Sequence, residues 1–596
     1  MPSPYSLTVT GLVLLVPLYL HGLGAIDIIG DDEAREVGII QDIAERDHWV
    51  LPRFNDTVYP DKPVLYHWLA AAACAVGGGW DERLVRLPSA VSALAVVGVV
   101  GLAGARLFDV PAGIAAALLL GLSPFLFEHA RVARPDTLVT LMLTAALFTF
   151  YAWWNDGCRS RSRAAAVGTL FGIATLAKGP VAPVVGAVTI LAFLALRRQL
   201  GQGRALLRVH VLLPFLVIGG AWYVAALVGW GEDFARKHLM GRYLGNVLGG
   251  DLALGVQPSH SLLHHVSFYP LHLLLATLPW TPLLVAAAIS IYRDPTRRAD
   301  PRLQFLQVWI ATVVVVFSFA AFKLRHYLLP ALPAVAMVAS ELTATLARRE
   351  IRGACRSAAS GSGRSASARQ AFVISIAGTL LIASVTSLWW WIGGPESLSR
   401  SDRELALTIE ISARARPGRA MLGTAAAALL CSAGMYLILR RRWRELCGLG
   451  IAGVLVWMLT VQPTIQSELA ARASLKPFVA AVKRNVPEGA PLYFFGQALR
   501  PVVVYWGRPI PRLRRDLAYA GSARAYIIVT EEDLPRLLET DRHVRTIVEH
   551  VGRIGNLARG RVFLVEVVPA RKSVSLAIAD LFAPGNPAAS ERGTYE

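Results

Sequence analysis

The chain has 596 residues, of which 54% are hydrophobic and only 17% charged, and its mean hydropathy is +0.47. A water-soluble domain carries more surface charge than this, so composition excludes one. The formal net charge of +19, from 60 Lys and Arg against 41 Asp and Glu, invites a nucleic-acid partner, but membrane proteins gather their Lys and Arg in cytoplasmic loops.

In chain order, apolar runs near the ~20 residues needed to cross a bilayer fall at 7–27, 84–105, 111–128, 137–155, 164–178, 180–197, 210–230, 268–291, 305–322, 325–346, 371–392, 420–439 and 447–463. The expected fold class is therefore a polytopic α-helical membrane protein with about thirteen transmembrane helices. Leu7 to Ala25 has neither a basic start nor a small-residue cleavage site and reads as a retained first helix. Gly179-Pro180 interrupts one long apolar stretch and predicts a short turn, whereas 64–76 is too short to span comfortably and suits a re-entrant or interfacial helix.

With the N-terminus cytoplasmic, five alternate loops carry basic clusters, headed by Arg159, Arg197, Arg293, Arg348 and Arg440. All five obey the positive-inside rule, which accounts for most of the basic excess and leaves no call for nucleic acid. An odd number of spans puts the C-terminus outside. Residues 1–465 read as a membrane domain with large external loops at 27–83 and 231–267, and 466–596 as a small soluble α/β domain and tail. In that segment 491–495, 502–506, 525–529 and 561–567 predict strands, and 475–485 and 531–540 predict helices. Glu33 to Asp47 predicts a helix lying against the membrane face, and 353–369 a cytoplasmic linker. The five cysteines form no CxxC, and none lies in the C-terminal segment.

The informative charges are those on the external side or near membrane depth, where burial is costly without a partner or a task. They are Asp31, Asp32, Glu33 and Arg35; Asp61 and Lys62; Arg131, Arg134 and Asp136; Lys178; Arg236, Lys237, His238 and Arg242; and Lys323, Arg325 and His326. Lys62, Lys178, Arg242 and Lys323 converge on one side of the bilayer and suit a lipid-borne phosphate or pyrophosphate. The carboxylates suit general-base work on a hydroxyl, a sugar hydroxyl or amine, or a divalent cation.

Structural readings stand beside these. Asp32 and Asp136 suit helix N-caps, with Arg134 simply paired to Asp136. Lys178 and Lys323 suit snorkelling to the interface. His260, His264 and His265 lack an accompanying carboxylate and read as interfacial, as does Trp389-Trp-Trp391.

Taken together these stretches resemble the bacterial aminoarabinose transferase and protein mannosyltransferase group of GT-C glycosyltransferases, over roughly residues 10–345. The resemblance rests on Asp32-Glu33-Ala34-Arg35, on Lys62-Pro63-Val64-Leu65-Tyr66-His67-Trp68 with Trp49 and Pro52 before it, and on Ala133-Arg134-Pro135-Asp136. It continues in Lys178-Gly179-Pro180, in His238 to Arg242, and in Lys323-Leu324-Arg325-His326-Tyr327-Leu328-Leu329-Pro330. The resemblance implies a sugar donor on a polyprenyl phosphate, its phosphate held by Lys62, Arg242 and Tyr327 with Lys323 and Lys178 nearby. It implies that Asp32 orients or deprotonates the acceptor and that Asp136 supports that site, with Glu33, Arg35, Asp61, Arg134 and His238 in supporting places. The reaction would invert the anomeric carbon on the periplasmic face of a bacterial inner membrane. The acceptor, whether lipid, glycan or protein, stays open, and so does a divalent cation as cofactor. A transporter or flippase of lipid-linked sugars is the rival, but it favours internal repeats and charges on both faces of a midplane cavity, and neither is evident. A non-catalytic assembly protein, its motifs serving only to hold the loops, is a third reading.

Overall fold

The computed structural model describes residues 15–59, 62–236, 262–320, 323–357, 473–513, 524–539, 543–554 and 557–568, with isolated positions between 454 and 471. The expected spans at 371–392 and 420–439, nearly all of that at 447–463, the linker 353–369 beyond residue 357, and Trp389 to Trp391 lie outside the described residues.

The external loop opens with α1 (Asp31–Arg46), whose Val37, Ile40 and Ile43 are fully buried. It is followed by a two-residue hairpin, β1 (Arg53–Phe54) and β2 (Thr57–Val58), and by the short helix α2 (Leu65–Val76). Asp32 lies inside α1, because Gly30 is the N-cap. The carboxylate is therefore free of capping duty.

The membrane body follows. It comprises α3 (Glu82–Leu107), α4 (Val110–Gly121), α5 (Pro124–Ala130), α6 (Asp136–Asn155), α7 (Arg161–Lys178), α8 (Val181–Leu196) and α9 (Val209–Phe234). It continues through α10 (Leu262–Ala276), α11 (Thr281–Arg293), α12 (Pro295–Ala299), α13 (Pro301–Ser318), a 3-10 turn at Arg325–Ala331 and α14 (Leu332–Ser357). Among the described residues five helices are long and apolar enough to cross a membrane, or six if the bent α4–α5 pair is one span.

Two expected single spans are broken. That at 111–128 bends by 59°, because Ser123 accepts a capping bond from Leu126 N–H and Pro124 opens a new helix. That at 268–291 divides into α10 and α11 around Pro279, which has no N–H to continue the ladder. Gly179, at φ 90°, makes the turn expected between α7 and α8.

Small residues set the closest approaches between helices. A Cβ on Gly168 would strike the Val211 carbonyl, and Gly172 lies against Gly219, so α7 and α9 meet backbone to backbone. The other side of α9 exposes Leu213, Leu216, Val217 and Val228, as a lipid-facing helix does.

The C-terminal segment forms α15 (Lys476–Asn485), β3 (Leu492–Phe495), α16 (Arg500–Trp506), β4 (Arg512–Leu513), β5 (Ala525–Thr530), α17 (Leu534–Leu538), β6 (His543–Ile554) and β7 (Leu557–Val568). The sheet order is β4-β3-β5-β7-β6, with β3 parallel to β4 and β5 and the β5, β7 and β6 pairs antiparallel. Residues 502–506, expected as a strand, are helical. Pro501 starts that helix and Gly507, at φ 79°, ends it, so the caps outweigh the β-branched run.

This unit docks on the first loop. Asn55 exchanges two bonds with Ile510, at 2.9 and 2.6 Å. Gln41 donates to the Val504 carbonyl, Ile28 N–H donates to the Tyr505 hydroxyl, and Lys476 pairs with Asp27 and Glu82. Asn55→Ala, which removes both Ile510 bonds, is expected to weaken the docking by about 1–2 kcal/mol. Hydrogen exchange should rise in residues 500–513 and stay unchanged in α3 and α6. Equal protection in wild type and variant would show that the bonds are dispensable.

Candidate functional site

The site is a chain of charges where helix ends meet. Asp136 is the first residue of α6 and Lys178 the last of α7. These are the termini where a carboxylate and an ammonium, respectively, complement the helix dipole. The Lys178 ammonium bonds Asp136 Oδ1 directly, and Arg134 Nε donates to Asp136 Oδ2 at 3.1 Å. Arg134 also lies 3.7 Å from Asp32 Oδ2 and 3.0 Å from His326 Nε2. One guanidinium thus joins α1, α6 and the 3-10 turn. Lys178 stands over the Tyr327 ring at 5.3 Å.

On α1, Arg35 bridges Asp32 and Glu36, at 3.1 Å to each. Glu36 accepts from Lys62 Nζ at 2.5 Å and pairs with His67 Nε2 at 2.7 Å. Among the described residues this network holds the carboxylates Asp32, Glu36 and Asp136 against the cations Arg35, Lys62, Arg134 and Lys178 at neutral pH. It therefore carries one positive charge in excess.

The carboxylates differ in access. The Asp136 and Glu36 side chains are 5% and 1% exposed, whereas that of Asp32 is 49% exposed. Burial would raise the Asp32 carboxyl, but Arg35, Arg134 and Lys62 outweigh it and hold the group below its usual value. Glu36, for which burial alone would do the same, is held well below by Lys62, the His67 hydrogen bond and Arg35. Burial pushes Lys62 down to about 8, with Glu36 opposing and Arg35, Arg134 and Lys178 adding to the shift.

Other expected site residues take other places. Glu33 forms a two-bond pair with Arg86, at 2.7 and 3.1 Å, and accepts from Ala133 N–H. Arg86 also donates to the Leu23 and Ile26 carbonyls, which fixes the start of the loop. Lys323 donates to the Phe317, Ser318 and Ala320 carbonyls and so closes the end of α13 rather than entering the network. Asp61, His238, Arg242 and His260, and the side chains of His264 and His265, lie outside the described residues. No set of three or more His, Cys, Asp or Glu with metal-site geometry occurs among the described residues.

Sequence reasoning missed Glu36 and His67 as network members and Arg86 as the partner of Glu33. Glu36 had a usable signal, since it lies four residues after Asp32 on the same helix face. A cavity of about 520 Å³ opens beside the loop, lined among others by Asp47, His48, Trp49, Arg53 and Trp230.

A helical body that gathers loop and helix-end charges at one place, with an α/β unit docked on the same loop, has a solved counterpart. The structure is similar to the crystal structure of ArnT from Cupriavidus metallidurans bound to undecaprenyl phosphate, with TM-score 0.70 and 17% identity over 94% of this chain and 97% of that one. The fold is thus that of GT-C proteins. The family model described as dolichyl-phosphate-mannose-protein mannosyltransferase matches residues 61–223. The undecaprenyl phosphate-alpha-4-amino-4-deoxy-L-arabinose arabinosyl transferase of Shewanella sediminis is 28% identical over 57% of this chain and 60% of its own length. That of Pseudomonas aeruginosa is 30% identical over 55% and 57%. The chain therefore spans little more than half the length of these curated relatives. In sequence it resembles the ArnT-like, protein mannosyltransferase group over these segments.

Breaking the Glu33–Arg86 pair from one side leaves a buried charge without its partner, at a cost of about 3–5 kcal/mol. Arg86→Met is therefore expected to melt well below wild type in detergent, with much of the loss recovered in the Glu33→Leu/Arg86→Met double variant. Equal melting of the single variant and wild type would contradict the strut.

Proposed function

We propose that this chain transfers a sugar from a polyprenyl-phosphate donor to a lipid, glycan or protein acceptor, with inversion at the anomeric carbon. The observation that carries the reading is the contrast within the network. Asp32 is the carboxylate open to an incoming group, while Asp136 and Glu36 are enclosed by cations. The relatives in which similar sequences occur are named for sugar transfer from undecaprenyl phosphate.

In this reading the acceptor hydroxyl gives its proton to the Asp32 carboxylate as its oxygen forms the new bond to the anomeric carbon. The bond from that carbon to the phosphate oxygen breaks, and its electron pair leaves on the polyprenyl phosphate. Lys62, with Lys178 and Arg242, meets the charge that develops there, so fixed cations replace an acid on the leaving group. Asp136 holds Lys178 and Arg134 in place. The excess positive charge of the network matches the single negative charge of a phosphodiester donor. The docked α/β unit shares the face of the membrane where α1 lies, which we assign as periplasmic, with the N-terminus cytoplasmic. Residues 1–465 act as the membrane catalytic domain.

The test is transfer of labelled sugar from a panel of polyprenyl-phosphate donors to membrane lipids and proteins. Asp32→Asn is expected to lose roughly a hundredfold to ten-thousandfold in kcat, as removal of a general base does, while still binding polyprenyl phosphate. Full activity in this variant would remove Asp32 from the chemistry.

Donor affinity should also depend on pH through Lys62. Its ammonium is present below pH about 8 in the empty site and is lost above it. A bound phosphate favours the charged form, so affinity is retained below that pH and falls as pH rises, by roughly tenfold per unit until the pKa of the complex is reached. Flat affinity from pH 7 to 9.5 would exclude Lys62 as a phosphate ligand.

A further inference from the structure

Lys62 sits in a setting that disfavours its charge. Arg35 on α1, Arg134 before α6 and Lys178 at the end of α7 are all cations that act on it, and its side chain is only 13% exposed. On the other side are the carboxylates. Asp32 is shared between Arg35 and Arg134, and Asp136 between Lys178 and Arg134, with His326 3.8 Å away. Among the described residues Glu36 is the carboxylate in direct contact with Lys62. Its second oxygen is fixed by His67, itself buried on α2, and its first is also reached by Arg35.

We infer that Glu36, held by His67, is a positioning residue that keeps Lys62 a cation and aimed into the site, ready for the phosphate of the donor. This rests on Lys62 being a phosphate ligand, as proposed above. The carboxylate occupies the counter-ion place that the phosphate takes in the complex. Without it Lys62 is an enclosed amine surrounded by three cations, for which the neutral form is favoured. The anion then meets a neutral amine, and binding requires a proton that must first come from solvent. A carboxylate that only filled space or stiffened the loop would change affinity by the same factor at every pH.

The experiment measures binding of the methyl phosphodiester of undecaprenyl phosphate, which stays a monoanion throughout, to full-length protein in detergent from pH 5.5 to 9.5. Wild type, Glu36→Gln, Glu36→Asp and Lys62→Ala are compared. The pH at which wild type loses affinity is expected near 8. Glu36→Gln should lose it at least one unit lower, binding about threefold or more weakly than wild type at pH 7.5, approaching tenfold near pH 9, and recovering near wild-type affinity at the acid end. Glu36→Asp, whose carboxylate is set back by one carbon, should fall between them. It decides the matter by its displacement from wild type if Glu36→Gln does not fold. An unshifted profile in the Glu36 variants, or a uniform loss at all pH values, overturns the role of Glu36. Wild-type affinity with a wild-type profile in Lys62→Ala overturns instead the assignment of Lys62 to the phosphate.

Discussion

The guanidinium of Arg134 is the contact on which the rest of the site depends. It lies against Asp136 and His326 and reaches Asp32, so it ties the external loop helix to two separate parts of the membrane body. An arginine at the edge of a bilayer is tolerated only when its charge and its donors are met. Its carbonyl is fixed as well, by the Ser89 hydroxyl of α3. Because the backbone is anchored and the fork is planar, the directions toward Asp32 and Asp136 are set together. The spacing of the open carboxylate from the buried one follows from that geometry.

Why the charges meet at one end of the bundle has a simple cause. An apolar span offers no place for an ion along its middle, so ions collect at helix termini and in the turns between helices. α6 begins and α7 ends on the same face because they form a hairpin with a short turn at residues 156–160. Asp136 and Lys178, at the two open ends of that hairpin, are thereby brought into direct contact. The close approach of α7 and α9 at Gly168 and Gly172 then fixes the level at which α7 ends. The site is a product of membrane topology as much as of loop folding.

That logic also explains what could be read from the sequence. Charges interrupting apolar windows stand out, so Lys62, Arg134, Asp136 and Lys178 were legible, as was the turn at Gly179-Pro180. The break in the 268–291 window was not, because hydropathy averages over Pro279. Glu36 and His67 were hidden by context. Glu36 lies in a helix of mixed polarity, where a carboxylate looks like a solvated face, and His67 in a short apolar run, and only tertiary packing joins the two. Lys323 could be read from sequence either as a ligand or as a structural cation, and its ammonium is held by three carbonyls at the end of α13. In the C-terminal unit, Val502 to Tyr505 looked extended because β-branched residues dominate, but Pro501 and Gly507 bound the segment as a helix. β6 was overlooked because His543, Arg545, Glu549 and His550 interrupt its apolar residues and mask the strand.

The two faces of α1 join these themes. One face carries Asp32, Arg35 and Glu36 into the charge network, and Glu33 into the strut with Arg86. The other meets the C-terminal unit through Gln41, while Asn55 and Asp27 extend that contact on either side of the helix. A helix gripped on both sides cannot shift without disturbing one set of partners. The cations Lys178 and Arg134 belong to the rigid membrane body, whereas the open carboxylate belongs to α1. The separation between the group that would receive a proton and the cations that would receive the leaving charge is therefore set by how the loop is docked. The C-terminal unit, far from Asp32 in sequence, acts on that separation through the backbone of α1. A sheet with no residue in the network thus becomes part of what positions it.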